Sequence, residues 1–136
     1  MKFGSLIVLL FCLFCIGCDH GTKISGTVKF SDGTPVTKGQ VVFDNGTNSY
    51  FGAISSNGSY ITGGNKTVEG IPNGNYKIWF AGTETTDNKT GADGTITSYT
   101  VTQTVAKKYT SPNTTDLKFE VKSSGATTFD ITVEKP

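Results

Sequence analysis

Residues 71–80 read Ile-Pro-Asn-Gly-Asn-Tyr-Lys-Ile-Trp-Phe, and their alternation decides the fold. Asn73-Gly74 is a tight-turn dipeptide. It opens a run in which Tyr76, Ile78 and Phe80 fall on one side and Lys77 and Trp79 on the other. A period of two belongs to a pleated strand, and a face of three large apolar residues is a face to be buried. The opposite face carries the chain's only Trp, which this pattern places at the edge of the core or on the surface.

The same signal recurs outward in both directions, with no helical period longer than a turn from Lys23 onward. Upstream, residues 23–30 set Ile24, Val28 and Phe30 on one face with Gly26 between them, and Ser31-Asp32-Gly33-Thr34-Pro35 is a turn. Residues 39–44 (GQVVFD), 49–55 (SYFGAIS) and 59–62 (SYIT) read as further strands, separated by Asn45-Gly46 and Asn57-Gly58. Gly63-Gly64-Asn65 ends that stretch, and Thr67-Val68 leads into Ile71.

Downstream, residues 82–95 (GTETTDNKTGADGT) hold no large apolar residue and read as an exposed loop, the most mobile part of the domain. Alternation resumes over 96–105. A connection over 106–115 carries Lys107-Lys108, read as a solvated charge pair. Leu117, Phe119 and Val121 then share one face, as do Phe129, Ile131 and Val133. Short strands at this spacing predict an all-β chain folded as a single antiparallel β-sandwich of about seven strands. Connections this short do not accommodate parallel crossovers, which need about a dozen residues or more.

The N-terminus follows other rules. Lys2 precedes an unbroken apolar run of 11 residues, Leu6 to Ile16. A spanning helix needs about 20 such residues, so this run has the length of a secretion-signal core instead. Residues 1–17 are therefore read as a cleaved signal, 18–22 as a short tether and 23–136 as the domain. Cys15-Ile16-Gly17-Cys18 resembles the bacterial lipobox, with Cys15 where that pattern usually has Leu. The resemblance implies that the Cys18 thiol is acylated and becomes the mature N-terminus. Two or more acyl chains at one residue supply the anchoring that a single chain does not. All 3 Cys are then accounted for, since Cys12 and Cys15 leave with the signal, and no disulfide is expected. The expected location is a bacterial cell envelope, on an inner or outer membrane, facing periplasm or exterior.

Charge and chemistry exclude more than they assign. Arg is absent, and the 12 Lys nearly balance the 11 Asp and Glu. A neutral chain of this kind has no electrostatic footprint for nucleic acid. The sole His, His20, lies beside the proposed anchor, where nothing can orient it as a catalytic base. No His/Cys set suits zinc. Residues 87–94 offer oxygens for calcium, but Lys89 falls where a ligand is wanted and no closing Glu follows, so a plain polar loop is the better reading. No catalytic residue, metal site or cofactor is expected, and the chain is read as non-enzymatic.

The order of motifs adds a resemblance. Ile24-Ser25-Gly26-Thr27-Val28, then Asp32-Gly33-Thr34-Pro35-Val36, then Gln40-Val41-Val42-Phe43 is similar to the opening of carboxypeptidase regulatory-like domains. Asn57-Gly58-Ser59-Tyr60 resembles that family's D-G-x-Y turn, and Ile71-Pro72-Asn73-Gly74-Asn75-Tyr76-Lys77-Ile78 its L-P-x-G-x-Y-x-V strand. The stretch from Lys108 to Leu117, with Val121-Lys122 and Thr128-Phe129-Asp130-Ile131, resembles short lipoproteins of planctomycete-type bacteria. Asp116 and Thr128 depart from that pattern, which prefers Gly and Asn. The resemblance implies a transthyretin-like sandwich on an envelope lipoprotein, and it carries over no functional residue except Cys18. The expected role is structural, adhesive or in assembly, with the membrane as partner through Cys18 and an envelope protein or glycan as a further one. The alternative is a surface module for a glycan or peptide, using Trp79 and the 82–95 loop; otherwise Trp79 packs under a loop or tail.

Overall fold

A computed structural model describes residues 21–62, 70–122 and 125–136. The N-terminal signal, Cys18 and its tether up to His20, and the Gly63–Asn65 and Thr67–Val68 readings, lie outside the described residues.

Among the described residues, ten strands form two packed sheets and a separate ribbon. One sheet is built on β1 (Thr22–Phe30), flanked on one edge by β4 (Ser59–Ile61) and on the other by β9 (Gly125–Thr128) and β10 (Ile131–Val133). The other runs β3 (Ser49–Ala53), β2 (Gln40–Asp44), β5 (Gly74–Ala81), β8 (Lys118–Val121), all antiparallel. The ribbon pairs β6 (Glu84–Thr90) with β7 (Ile96–Gln103). Between β7 and β8 a single 3-10 turn, Lys107–Thr110, seats Tyr109 against Phe80 at one end of the sandwich.

The alternating faces read from the sequence become the core. Ile24 and Val28 of β1, Val41 and Phe43 of β2, Tyr76, Ile78 and Phe80 of β5, Val121 of β8, and Ile131 and Val133 of β10 are all buried, with Phe30, Leu117, Phe119 and Phe129 half-buried against them. Phe43 sits at the centre, its ring 6.3–6.5 Å from those of Tyr60, Tyr76, Phe119 and Phe129. The sandwich is the expected architecture, and three of its features differ from the expectation.

First, β9 and β10 pair with β1 in parallel, so the sandwich is not purely antiparallel. A short connection forbids parallel pairing only between consecutive strands, and here nearly the whole chain separates the two partners. Second, the expected final strand is two strands in one register, since Ser25 pairs with Thr128 and Val28 with Ile131. Between them the ladder is interrupted: the Thr27 amide donates to Asp130 Oδ1 (2.9 Å), and the Phe129 carbonyl turns inward over Gly26. The Tyr60 hydroxyl donates to that carbonyl at 2.6 Å.

Third, residues 82–95 are not a loop. Glu84–Thr90 is a strand fully paired with β7, and the turn is closed by Gly91 N–H to the Thr95 carbonyl and by Asp93, whose Oδ1 accepts from the Thr95 amide and hydroxyl. Absence of large apolar residues had argued for a loop. A ribbon with both faces in water needs none, and threonine suits a solvated pleat. Lys107-Lys108 also differs from a simple solvated pair. Lys108 bridges Asp116 (3.1 Å) and Glu134 (3.2 Å) and lies 4.7 Å from the Tyr109 ring centroid, tying the 3-10 turn to the C-terminal segment.

The two ends of the sandwich are distinct. Thr22, where β1 begins, pairs with Ile71 and Gly125, and nearby β5 begins at Gly74 beside Val121. At the other end Phe30 pairs with Val133, Ala106 donates to the Glu134 carbonyl, and Phe80 meets Tyr109. The ribbon leaves from Ala81 and returns at Thr104, so it stands at the pole away from Thr22.

Candidate functional site

Three surface features can meet another molecule, and each follows from strand register. The first is a groove of about 720 Å³ on the outward face of the β3-β2-β5-β8 sheet, walled by Pro112 and Asn113. Its floor is set by pairing across three strands: Asp44 of β2 faces Lys77 of β5, and Lys77 faces Lys118 of β8. One step away Asn75 faces Glu120. Like charges directly opposite on a sheet are unfavourable, and Lys77 has Lys118 on one side and Asp44 on the other.

The acids of the groove have other engagements. Asp44 accepts from the Gly46 amide (2.6 Å) and the Ser49 hydroxyl (3.0 Å), which holds the β2–β3 turn. Glu120 pairs with Lys122 at 3.1 Å. Among the described residues, neither Lys77 nor Lys118 forms an ion pair. At the rim, the Tyr76 hydroxyl donates to the Pro72 carbonyl (2.8 Å), and burial, helped by neighbouring Tyr50, pushes its pKa up.

The second feature is Trp79, on the same outward face two residues along from Lys77. It pairs with Val42, which is fully enclosed although it points away from the core, and Val42 in turn pairs with Phe51. Trp79 is half-buried, and its Nε1–H is enclosed without an acceptor among the described residues. The indole thus packs over the sheet and keeps only part of its surface open. Trp79 does not line the groove.

The third is the ribbon. Paired residues share a face, which places Tyr99 with Asn88 and Val101 with Thr86. A bulge at Lys89/Thr90 then matters: Lys89 pairs with Ser98 and Thr90 with Ile96, so one extra residue, Thr97, is taken up in β7. The slip brings Ile96 onto the face of Tyr99 and Val101. Strict alternation in the sequence puts Ile96 on the other face, so this stripe was not legible there.

Elsewhere three surface aspartates are committed to structure. Asp130 is held below its ordinary 3.8 by the Thr27 amide and hydroxyl. Asp32 is held low by the Lys135 ammonium (2.6 Å) and by the Thr34 hydroxyl and amide, and Asp93 by Thr95. Each spends its charge on a turn, a strand junction or an ion pair. Asp87 and Asp93 of the segment weighed for calcium are on the ribbon, Asp93 in its turn.

No family model matches the chain, and no curated protein does. The likeness to carboxypeptidase regulatory-like domains therefore rests on the sequence motifs alone. Among solved structures the chain is similar to the major pilin subunit of Bacillus cereus, with 21% identity and a TM-score of 0.44 over 85% of this chain and 30% of the pilin. It is also similar to a 9R-lipoxygenase from Cyanothece, with 17% identity and a TM-score of 0.38 over 83% of this chain and 16% of the lipoxygenase. The chain spans less than a third of the length of either protein.

Proposed function

We propose that this chain is a lipid-anchored β-sandwich module of a bacterial cell envelope, held to a membrane through Cys18, with a structural or adhesive role and no catalytic one. The observation that carries the reading is the opposition of the two poles. The strand that follows the proposed anchor starts at Thr22, and the ribbon projects from the other end. At about 3.3 Å per residue, a sandwich as long as β1 and then the ribbon set the hairpin tip at most roughly 50 Å from the anchored end. That is the layout of a spacer that presents an arm. The commitment of Asp32, Asp44, Asp93 and Asp130 to structural hydrogen bonds supports a non-enzymatic role.

Metabolic labelling with an alkyne fatty acid tests the anchor. The wild-type chain takes up label and fractionates with membranes, and Cys18→Ala takes up none. Equal label on both, or none on the wild type, rules the anchor out.

A second reading is favoured by the groove: a surface module for a glycan or peptide that carries an anionic group, held by Lys77 and Lys118 instead of by Trp79. Calorimetric titration with an oligogalacturonate and with an acidic peptide distinguishes the two ligands. The double variant Lys77→Gln/Lys118→Gln is expected to bind at least about tenfold more weakly, since charge-assisted hydrogen bonds contribute about 1.5–3 kcal/mol each. Absence of binding by the wild type to either ligand removes this reading and leaves the first.

A further inference from the structure

Five times in this chain an Asn or Asp is followed directly by Gly, at 32–33, 45–46, 57–58, 73–74 and 93–94. Such a step can react with itself. The glycine main-chain nitrogen attacks the side-chain carbonyl carbon of the residue before it. A C–N bond forms, ammonia leaves from Asn or water from Asp, and a five-membered succinimide remains. Water then opens the ring at either carbonyl, which gives aspartate or isoaspartate. Glycine favours the reaction because no Cβ blocks the approach or restricts the backbone.

The reaction needs an uncommitted glycine nitrogen and a side chain able to swing toward it, and the fold removes both at four of the five steps. Gly46 donates to Asp44 Oδ1 (2.6 Å), while Asn45 Oδ1 accepts from the amides of Thr47 (2.9 Å) and Asn48 (2.7 Å). Gly58 donates to the Ser55 carbonyl (2.8 Å), while Asn57 Oδ1 accepts from the Ser59 amide (3.0 Å) and hydroxyl (2.7 Å). Gly33 donates to the Phe30 carbonyl and Gly94 to that of Gly91. The carboxyls of Asp32 and Asp93 accept from Thr34 and Thr95, which helps to keep them ionised, and an ionised carboxylate resists nucleophilic attack.

Asn73 differs from all four. It is exposed, and among the described residues its side chain makes no hydrogen bond. Gly74 lies opposite Val121 in the last pair of the β5–β8 ladder. Opening that one terminal pair releases its nitrogen, and the frayed end of a ladder opens at the lowest free energy in a sheet.

We propose that Asn73-Gly74 is a self-modification site, at which the folded chain converts Asn73 through a succinimide to aspartate and isoaspartate while Asn45 and Asn57 stay intact. Isoaspartate routes the main chain through the former side chain and lengthens it by one carbon. The insertion falls between the Ile71–Thr22 bridge and the Gly74–Val121 pair, beside the Pro72 carbonyl that accepts from Tyr76. Either product adds one negative charge at the pole where β1 begins. The site is independent of how the chain is anchored.

Hydroxylamine cleaves a chain at a succinimide and so reads the reaction directly. The native full chain in mildly alkaline hydroxylamine is expected to be cut after Asn73 at least about tenfold faster than after Asn45 or Asn57, where several hydrogen bonds must break first. In guanidinium the three cuts are expected at similar rates. Mass-spectrometric peptide mapping of native chain aged without hydroxylamine is expected to find the amide-to-acid mass gain at Asn73 alone among these three. Asn73→Gln, whose longer side chain closes only a larger ring, loses the native cut. Comparable native cutting after Asn45 or Asn57, no native cut after Asn73, or a cut that survives in Asn73→Gln overturns the proposal. So does a preference for Asn73 that persists in guanidinium, because it places the cause in the local sequence instead of the fold.

Discussion

Gly26→Val prevents this chain from folding, and Gly26→Ala lowers its stability by about 3 kcal/mol. Gly26 lies mid-strand in β1, where glycine is ordinarily a weak choice. A Cβ built there runs into the carbonyl of Phe129, which turns inward at the interruption between β9 and β10. Relief requires that β9 and β10 move away from β1. That motion breaks the Phe129 amide bond to the Ser25 carbonyl (2.8 Å), the Thr27 bonds to Asp130 and the Tyr60 hydroxyl bond to Phe129.

Small domains are stable by only about 5–15 kcal/mol in total, so alanine removes a large share and the two extra methyls of valine exceed what remains. Urea unfolding followed by circular dichroism measures the alanine variant. Tyr60→Phe, which leaves the Phe129 carbonyl short of its buried donor, loses about 1–3 kcal/mol. The two changes share one carbonyl and are expected to be non-additive in a double-mutant cycle. A Gly26→Ala chain as stable as wild type would mean that Phe129 does not cross β1 there.

Phe43→Ala is expected to cost about 4 kcal/mol, within the range for a large aromatic removed from a core. Its side chain is fully buried in β2 and its ring meets aromatics from both sheets: Tyr60 of β4, Tyr76 of β5, Phe119 of β8, and Phe129 at the β9–β10 junction. No single neighbour can fill the space, because Phe119 and Phe129 are already stacked on each other at 4.3 Å. The urea midpoint should fall while the slope of the transition stays unchanged, since the denatured state is the same. Phe51→Ala is the control. Phe51 is 52% exposed on the outward face, and its loss should stay within about 0.5 kcal/mol. A Phe43→Ala loss no larger than that of Phe51→Ala would place the core elsewhere.

Most of the sandwich is legible in the chain because a strand with one wet face writes itself as alternation. Tyr76, Ile78 and Phe80 are buried where Lys77 and Trp79 are not, and turns fall at Asn45-Gly46 and Asn57-Gly58. The ribbon is the opposite case. With both faces in water, β6 writes no alternation, and its identity as a strand depends on pairing with β7. The groove was illegible for a related reason. Lys77 and Lys118 are distant in the chain and become neighbours only through the β5–β8 register. Lys108 looked like one more solvated charge until packing brought Asp116 and Glu134 to it.

By itself the sequence determined the class of structure, the inward residues of most strands and the turns, because each depends on neighbours a few residues apart. Only the tertiary structure decided that β9 and β10 run parallel to β1, why position 26 has no side chain, and that Ile96 joins Tyr99 and Val101 on one face. Those features depend on which strand lies beside which and in what register. Register is set by the simultaneous burial of all the apolar faces, a condition that no local stretch of chain contains.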